Sequence, residues 1–240
     1  MITLCQYPRV WGLPNASPFC VKLECWLRFA GLKYEVREIS DPSKAPKGKL
    51  PFILEDEREL ADSRLIIDDL AARHDIHLDA ILSPAERAIA HAFGVMLDEH
   101  YYWAIMYDRW MGDNWPRTRE AFFHNLPPGV KGIVAGMVHK GMRHQLIGQG
   151  MGRHKPQEVF ELANHDMRSV VDYLGDKPFL MGASPTVVDC SLYGVLCNVL
   201  HAPLESPLKD YARRCPSLVA YVERIDHHWF ADLFGAAAAS

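Results

Sequence analysis

Ser17, Pro18, Phe19 and Cys20 follow the first β-favouring run, and their spacing is that of a Cys-x-x-Cys motif with serine in place of the first thiol. In a dithiol motif the first cysteine attacks because the start of a helix stabilises its thiolate. A serine hydroxyl forms no disulfide, so a two-thiol cycle is lost. It can still donate a hydrogen bond to a thiolate brought by another molecule. As plain structure, Ser-Pro is a helix cap, its hydroxyl engaged by a backbone N–H. Tyr7 and Asn15 are rival donors; in a Pro-Asn turn Asn15 also serves simply as a turn residue. Cys20 is either a spare thiol for mixed-disulfide chemistry or a buried, inert cysteine. The histidines (His74/His77, His139/His144, His227-His228) meet no cysteine or carboxylate at ligand spacing, so no metal site is expected.

These residues need elements to hold them. Ile2, Leu4, Cys5 and Tyr7 read as a strand. Ser17-Pro18 then opens a helix that carries Val21, Leu23, Trp26, Leu27 and Ala30 and closes at Gly31. Tyr34, Val36 and Ile39 form a second strand, completing a βαβ unit. Leu50 to Leu54 and Glu59 to Ala61 read as a hairpin, and Asp62-Ser63 caps the helix that follows. Beyond it the pattern turns helical. Ser83-Pro84-Ala85-Glu86 is a capping box, and Ile89, Phe93, Met96, His100, Trp103, Tyr107 and Trp110 repeat every three or four residues. The glycine-rich segment 124–155 predicts an irregular or partly helical connection. Further helices are expected over Pro156 to Leu174, after the Thr186/Asp189 capping pair, and from about Pro216 to Trp229.

Composition sets wide bounds. The chain has 240 residues, 49% hydrophobic and 23% charged, with a formal net charge of −4. Those values suit a soluble globular protein and favour neither nucleic acid nor an anionic membrane as partner. No apolar run reaches the roughly 18 residues of a membrane span. The N-terminus lacks the regions of a signal peptide, and the six cysteines form no regular framework. A reducing, cytoplasmic location is therefore expected.

An α/β unit over 1–76, with a helical unit over 82–240, resembles the glutathione transferase architecture: a thioredoxin-like domain followed by an all-α domain. Leu50-Pro51 falls where that superfamily keeps a cis-proline. Asp62-Ser63 resembles its acidic-Ser pair, and Thr186 with Asp189 resembles its capping pair in the helical core. "SPFCVKLECWLRFAGLKYE", "KAPKGKLPFI" and "GASPTVVDCSLYGVL" are similar to the branch that holds the failed-axon-connections proteins and the metaxins. The likeness spans nearly the whole chain.

The resemblance implies glutathione as co-substrate, a small electrophile as second substrate, and a homodimer. Ser17 would activate the glutathione thiol, ahead of Tyr7 and Asn15. Lys49, Leu50, Pro51, Asp62 and Ser63 would bind the tripeptide: main-chain groups of Leu50 for the cysteinyl unit, Ser63 and Asp62 for the γ-glutamyl end, Lys49 for the glycyl carboxylate. His100, Trp103, Tyr107 and Arg109 would line the electrophile pocket, unless that aromatic stripe is simply core. Two other functions fit the same resemblance: a non-catalytic interaction module of the metaxin kind, and a glutathione-dependent thiol reductase working through Cys20.

Overall fold

The structure, a computed structural model, describes residues 1–235. The chain opens with β1 (Ile2–Gln6), α1 (Pro18–Phe29) and β2 (Tyr34–Glu38). A short 3₁₀ turn at Pro42–Lys44 leads to the hairpin β3 (Phe52–Glu55) and β4 (Arg58–Ala61), and α2 (Ser63–His74) completes the unit. The sheet order is β2-β1-β3-β4, with β1 parallel to β2 and the other pairs antiparallel. β1 is buried along its whole length, as a central strand must be, while β2 is an exposed edge. Fold class is thus the expected one: a thioredoxin-like sheet with helices, then helices alone.

From Pro84 to Trp110 the chain is one helical rod: α3 (Pro84–Met96), a π-helical turn (Leu97–Tyr101) and α4 (Tyr102–Trp110). The Ser83 cap is reciprocal, with Glu86 N–H donating to Ser83 Oγ at 3.3 Å and Ser83 N–H donating to Glu86 Oε2 at 2.8 Å. Then come α5 (Trp115–Phe123), α6 (Pro128–Gln149), a 3₁₀ turn (Met151–Arg153) and α7 (Pro156–Leu174). The rod is closed by α8 (Val187–Leu200), α9 (Pro207–Arg213), α10 (Pro216–Trp229) and α11 (Ala231–Phe234).

The segment 124–155 departs from expectation. It is largely one helix of 22 residues, α6, despite its glycines. Each internal glycine costs about 1 kcal/mol against alanine. Burial of Ala135 and Leu146 against the helical core opposes that cost. At Gly152 a Cβ would stand 2.8 Å from the Ile147 backbone nitrogen, so the tight return after α6 needs glycine.

The two units share one core. Leu4, Leu23, Trp26, Ile53 and Ile66 from the sheet unit join Leu192, Tyr193 and Leu196 of α8 in a single buried cluster. α8 lies so near α1 that a Cβ on Gly194 would stand 2.6 Å from the Pro18 carbonyl oxygen. The start of α1 is therefore seated on the helical unit, and that start carries Ser17. Among the described residues, no helix is long and apolar enough to cross a membrane.

Candidate functional site

Ser17 caps α1 in an extended conformation, with Pro18 at the first helical position. The Cys20 N–H donates to Ser17 Oγ at 3.4 Å. Capping uses a lone pair of the oxygen and leaves its proton to donate elsewhere. Cap and thiol donor are therefore compatible roles for one hydroxyl. Ser17 is only part-buried, whereas Cys20 is fully buried.

That burial decides what Cys20 can do. Desolvation pushes its thiol up to about 12, although Ser17 and a backbone hydrogen bond from Tyr7 pull the other way. A thiol so placed stays protonated at neutral pH, the opposite of an attacking cysteine. The Tyr7 phenol is also pushed up, mainly by burial and next by Cys20. Burial thus keeps Tyr7 a neutral phenol, its proton still in place.

Asn15 differs from its expected role as a thiol donor. It is fully buried, its Nδ2 donates to the Tyr7 carbonyl at 2.7 Å, and its Oδ1 accepts the Ser17 N–H at 3.0 Å. The side chain holds the loop beneath Ser17, and its amide points into that loop.

Of the residues expected to bind the tripeptide, Leu50 packs with Cys20. Leu50, Phe52 and Ala61 form a small buried cluster with Cys5 and Cys20, and Tyr7 packs against it. The Leu50-Pro51 peptide is cis. The β1–β3 ladder ends at the Cys5–Phe52 pair, so the peptide groups of Leu50 lie outside it. Asp62 caps α2, its Oδ1 accepting from the Arg64 and Leu65 N–H groups at 3.0 and 3.3 Å. Its φ of 89° is a strained value for a residue with a side chain, a kind of strain that clusters at ligand sites. With Asp62 occupied by those two donors, Ser63 presents its own N–H and hydroxyl at the helix start, a natural carboxylate site. Lys49 is exposed on the loop before Leu50.

The expected electrophile residues are scattered. His100 Nδ1 sits 2.5 Å from Asp166 Oδ2 on α7. Tyr107 is buried edge-to-face against Phe160, with centroids 6.4 Å apart. Trp103 packs edge-on to Tyr102 at 5.3 Å, and Arg109 is buried with its Nη1 on the Ala16 carbonyl. Sequence reasoning missed Tyr102 itself, which stacks on Phe19 at 4.7 Å. Burial pushes its phenol up to about 12, while Arg109 pulls it down. The π-helical turn explains the miss: one extra residue in that turn rotates everything after Tyr101 relative to a strict 3.6 repeat. An open cleft of about 530 Å³ is lined by Trp11, Arg117, Glu120, Ala121 and Pro203.

Comparison with known proteins agrees with this architecture. A family model described as "Glutathione S-transferase N-terminal domain" matches residues 18–115, and one described as "Glutathione S-transferase, C-terminal domain" matches residues 163–225. The chain is 33% identical over 234 residues to the isoprene-epoxide–glutathione S-transferase of Rhodococcus sp. (strain AD45), covering 94% of this chain and 98% of that protein. It is 32% identical over 252 residues to Failed axon connections of Drosophila melanogaster, covering 97% of this chain but 59% of the fly protein. Human metaxin-1 is 25% identical over 227 residues, covering 90% of this chain and 48% of that protein. A β-etherase from Sphingobium sp. strain SYK-6 superposes with a TM-score of 0.66 at 17% identity, over 98% of this chain and 99% of its own. The chain belongs to the glutathione S-transferase superfamily. Within it, the chain falls in the branch of Failed axon connections and the metaxins.

Proposed function

We propose that this protein is a glutathione-dependent transferase in which Ser17 stabilises the glutathione thiolate for attack on a small electrophile. The observation that carries the reading is the place of the Ser17 hydroxyl: part-buried at the helix start, it accepts the Cys20 N–H through a lone pair, and capping does not use its proton. A free thiol ionises near 8.5. Holding glutathione as thiolate at neutral pH asks for about 2 units, or roughly 2.7 kcal/mol. One hydrogen bond to a charged group supplies about 1.5–3 kcal/mol, and the helix dipole about 0.3–1 more. No further base is needed.

The electrophile is proposed from the Rhodococcus relative, which is named for an epoxide and matched along nearly its whole length. The thiol proton leaves to water, the sulfur forms a bond to a ring carbon, and the C–O bond breaks. The resulting alkoxide takes a proton from water.

A second reading, a non-catalytic interaction module, draws on the likeness to Failed axon connections and the metaxins. Calorimetric titration with glutathione separates the two. Binding is expected, and Ser63→Ala should weaken it about 5–150-fold through loss of a charge-assisted hydrogen bond of about 1–3 kcal/mol. No heat of binding at millimolar glutathione decides for the interaction module. A reductase acting through Cys20 fits poorly with so buried and so weakly acidic a thiol.

The reading includes a cytoplasmic homodimer. Leu65 on α2 and Ile89 and Val95 on α3 are exposed apolar side chains of the kind that a two-fold contact covers. Sedimentation at micromolar concentration should give about twice the 27.2 kDa of one chain. A stable monomer contradicts the dimer.

A further inference from the structure

Arg109 on α4 is one of the most deeply buried charges in the protein, 1% exposed. Among the described residues, no carboxylate forms an ion pair with it. Its Nη1 donates to the Ala16 carbonyl at 2.6 Å, and its Nη2 donates to Asn198 O at 3.0 Å and Asn198 Oδ1 at 2.9 Å. The Asn198 Nδ2 in turn donates to the Asn15 carbonyl at 3.2 Å and to Gly194 O at 3.1 Å. The two carbonyls before Ser17 are thus gripped from α4 and α8 by one interlocked pair. The Ser17 N–H is taken by Asn15 Oδ1 and the Ser17 carbonyl by the Val21 N–H. The Trp11 ring closes over the guanidinium at 5.2 Å from its carbon, although Trp11 must adopt a φ of 61°.

A buried charge is retained against a large desolvation cost, so its location calls for a reason. Packing alone would be served by an apolar side chain of similar volume. We propose that Arg109 is a positioning residue for thiol activation, orienting the Ser17 hydroxyl through the Ala16 carbonyl and placing a positive charge behind the helix start. The inference rests on the transferase reading of Ser17.

Its charge persists at neutral pH. Burial pulls the guanidinium down to about 10, against the effect of Asp108. The titratable groups facing it are Asp108 and Tyr102 along its own helical rod and Cys197 on α8. Asp108 is itself pushed up to about 6 by burial and is bonded by Asn114 Nδ2 at 3.2 Å. A positive charge near a thiol lowers its pKa, and removing it raises the pKa. Lysine in this place keeps the charge but cannot hold the Ala16 carbonyl and both Asn198 oxygens in one plane.

The test is an ultraviolet titration of the thiolate in the glutathione complex, with a pH profile of kcat/KM beside it. Wild type, Ser17→Ala, Arg109→Gln, Arg109→Lys, Asn198→Ala and the Ser17→Ala/Arg109→Gln double variant are compared. Arg109→Gln is expected to raise the bound thiol's pKa by about one pH unit, with glutathione affinity changed less than threefold. The double variant should shift less than the sum of the singles, because both act on one hydrogen bond. A purely structural role lowers the melting temperature and leaves the titration of folded protein unmoved. If Arg109→Gln does not fold, Arg109→Lys and Asn198→Ala should show the same upward shift at smaller size. Folded Arg109 and Asn198 variants that titrate with wild type, while Ser17→Ala does not, overturn this proposal alone. If wild type fails to bind glutathione the transferase reading falls, and if Ser17→Ala leaves the titration unchanged the Ser17 role falls; either outcome takes the proposal with it.

Discussion

Ser17→Ala is expected to bind glutathione nearly as well as wild type and to turn over about 3- to 25-fold more slowly at neutral pH. The tripeptide keeps its main-chain contact at Leu50 and its anchor at Ser63, so affinity has little reason to fall. The bound thiol loses about 1.5–3 kcal/mol of thiolate stabilisation, which raises its pKa by roughly 1–2 units. The wild-type thiol, about two units below 8.5, is mostly ionised at neutral pH, so a rise of roughly 1–2 units cuts the thiolate about 3- to 25-fold, and rate follows thiolate. Activity should recover as pH rises through the new pKa. Loss of the cap has a separate signature, a stability decrease of about 1 kcal/mol. Ser17→Thr discriminates between the two effects, since threonine keeps both the cap and the donor and should titrate with wild type. Coincident thiolate titrations in wild type and Ser17→Ala would reduce Ser17 to a helix cap and make Tyr7 the next residue to test.

The parts of the site that could be read from the sequence are those encoded over a few neighbouring residues. Ser17-Pro18, Asp62-Ser63 and Thr186/Asp189 each declare a helix start within one turn, because capping is local chemistry. The residues that escaped, and the roles misassigned, depend on distant packing or on a change of helical period; Arg109 was expected in the electrophile pocket. Arg109 meets Ala16 from 93 positions away, and Asn198 meets Asn15 from 183. An asparagine within the apolar run of α8 was nevertheless a signal, since a buried amide needs partners. The π-helical turn holds His100 and shifts Tyr107 relative to the residues before it, which a 3.6 repeat cannot register. Asn15 had the right position for a donor to sulfur, yet its amide was committed to the Tyr7 carbonyl. In α6 the glycines argued correctly about propensity, and tertiary burial of Ala135 and Leu146 outweighed them.

The largest loss of stability is expected from Asp189→Ala. Asp189 is fully buried at the start of α8. Its Oδ1 accepts from Leu180 N–H at 2.8 Å and from the Tyr221 hydroxyl at 3.0 Å. Its Oδ2 accepts from the Thr186 N–H and hydroxyl, each at 2.8 Å. Burial nevertheless raises its pKa despite those four donors, so the carboxylate is not itself strongly favoured in this place. What makes removal expensive is the set of buried donors left without an acceptor, each worth about 1–3 kcal/mol and not fully additive. A total of about 3–5 kcal/mol follows, or roughly 10–15 °C in melting temperature for a chain of this length. Asn in this position should restore only part of it, because one amide oxygen faces four donors and its NH₂ group meets N–H and O–H groups. The consequence for the site runs through α8, which carries Gly194 and Asn198 against the start of α1. Those residues lie one to three turns beyond the cap, where packing holds the helix once folded. Folded Asp189→Ala, assayed well below its lowered midpoint, should therefore bind glutathione within threefold of wild type. Ser17→Ala should show the reverse pattern, stable and slow. A tenfold loss of affinity in folded Asp189→Ala would mean that the α8 cap supports Ser17 as directly as the Arg109–Asn198 grip does.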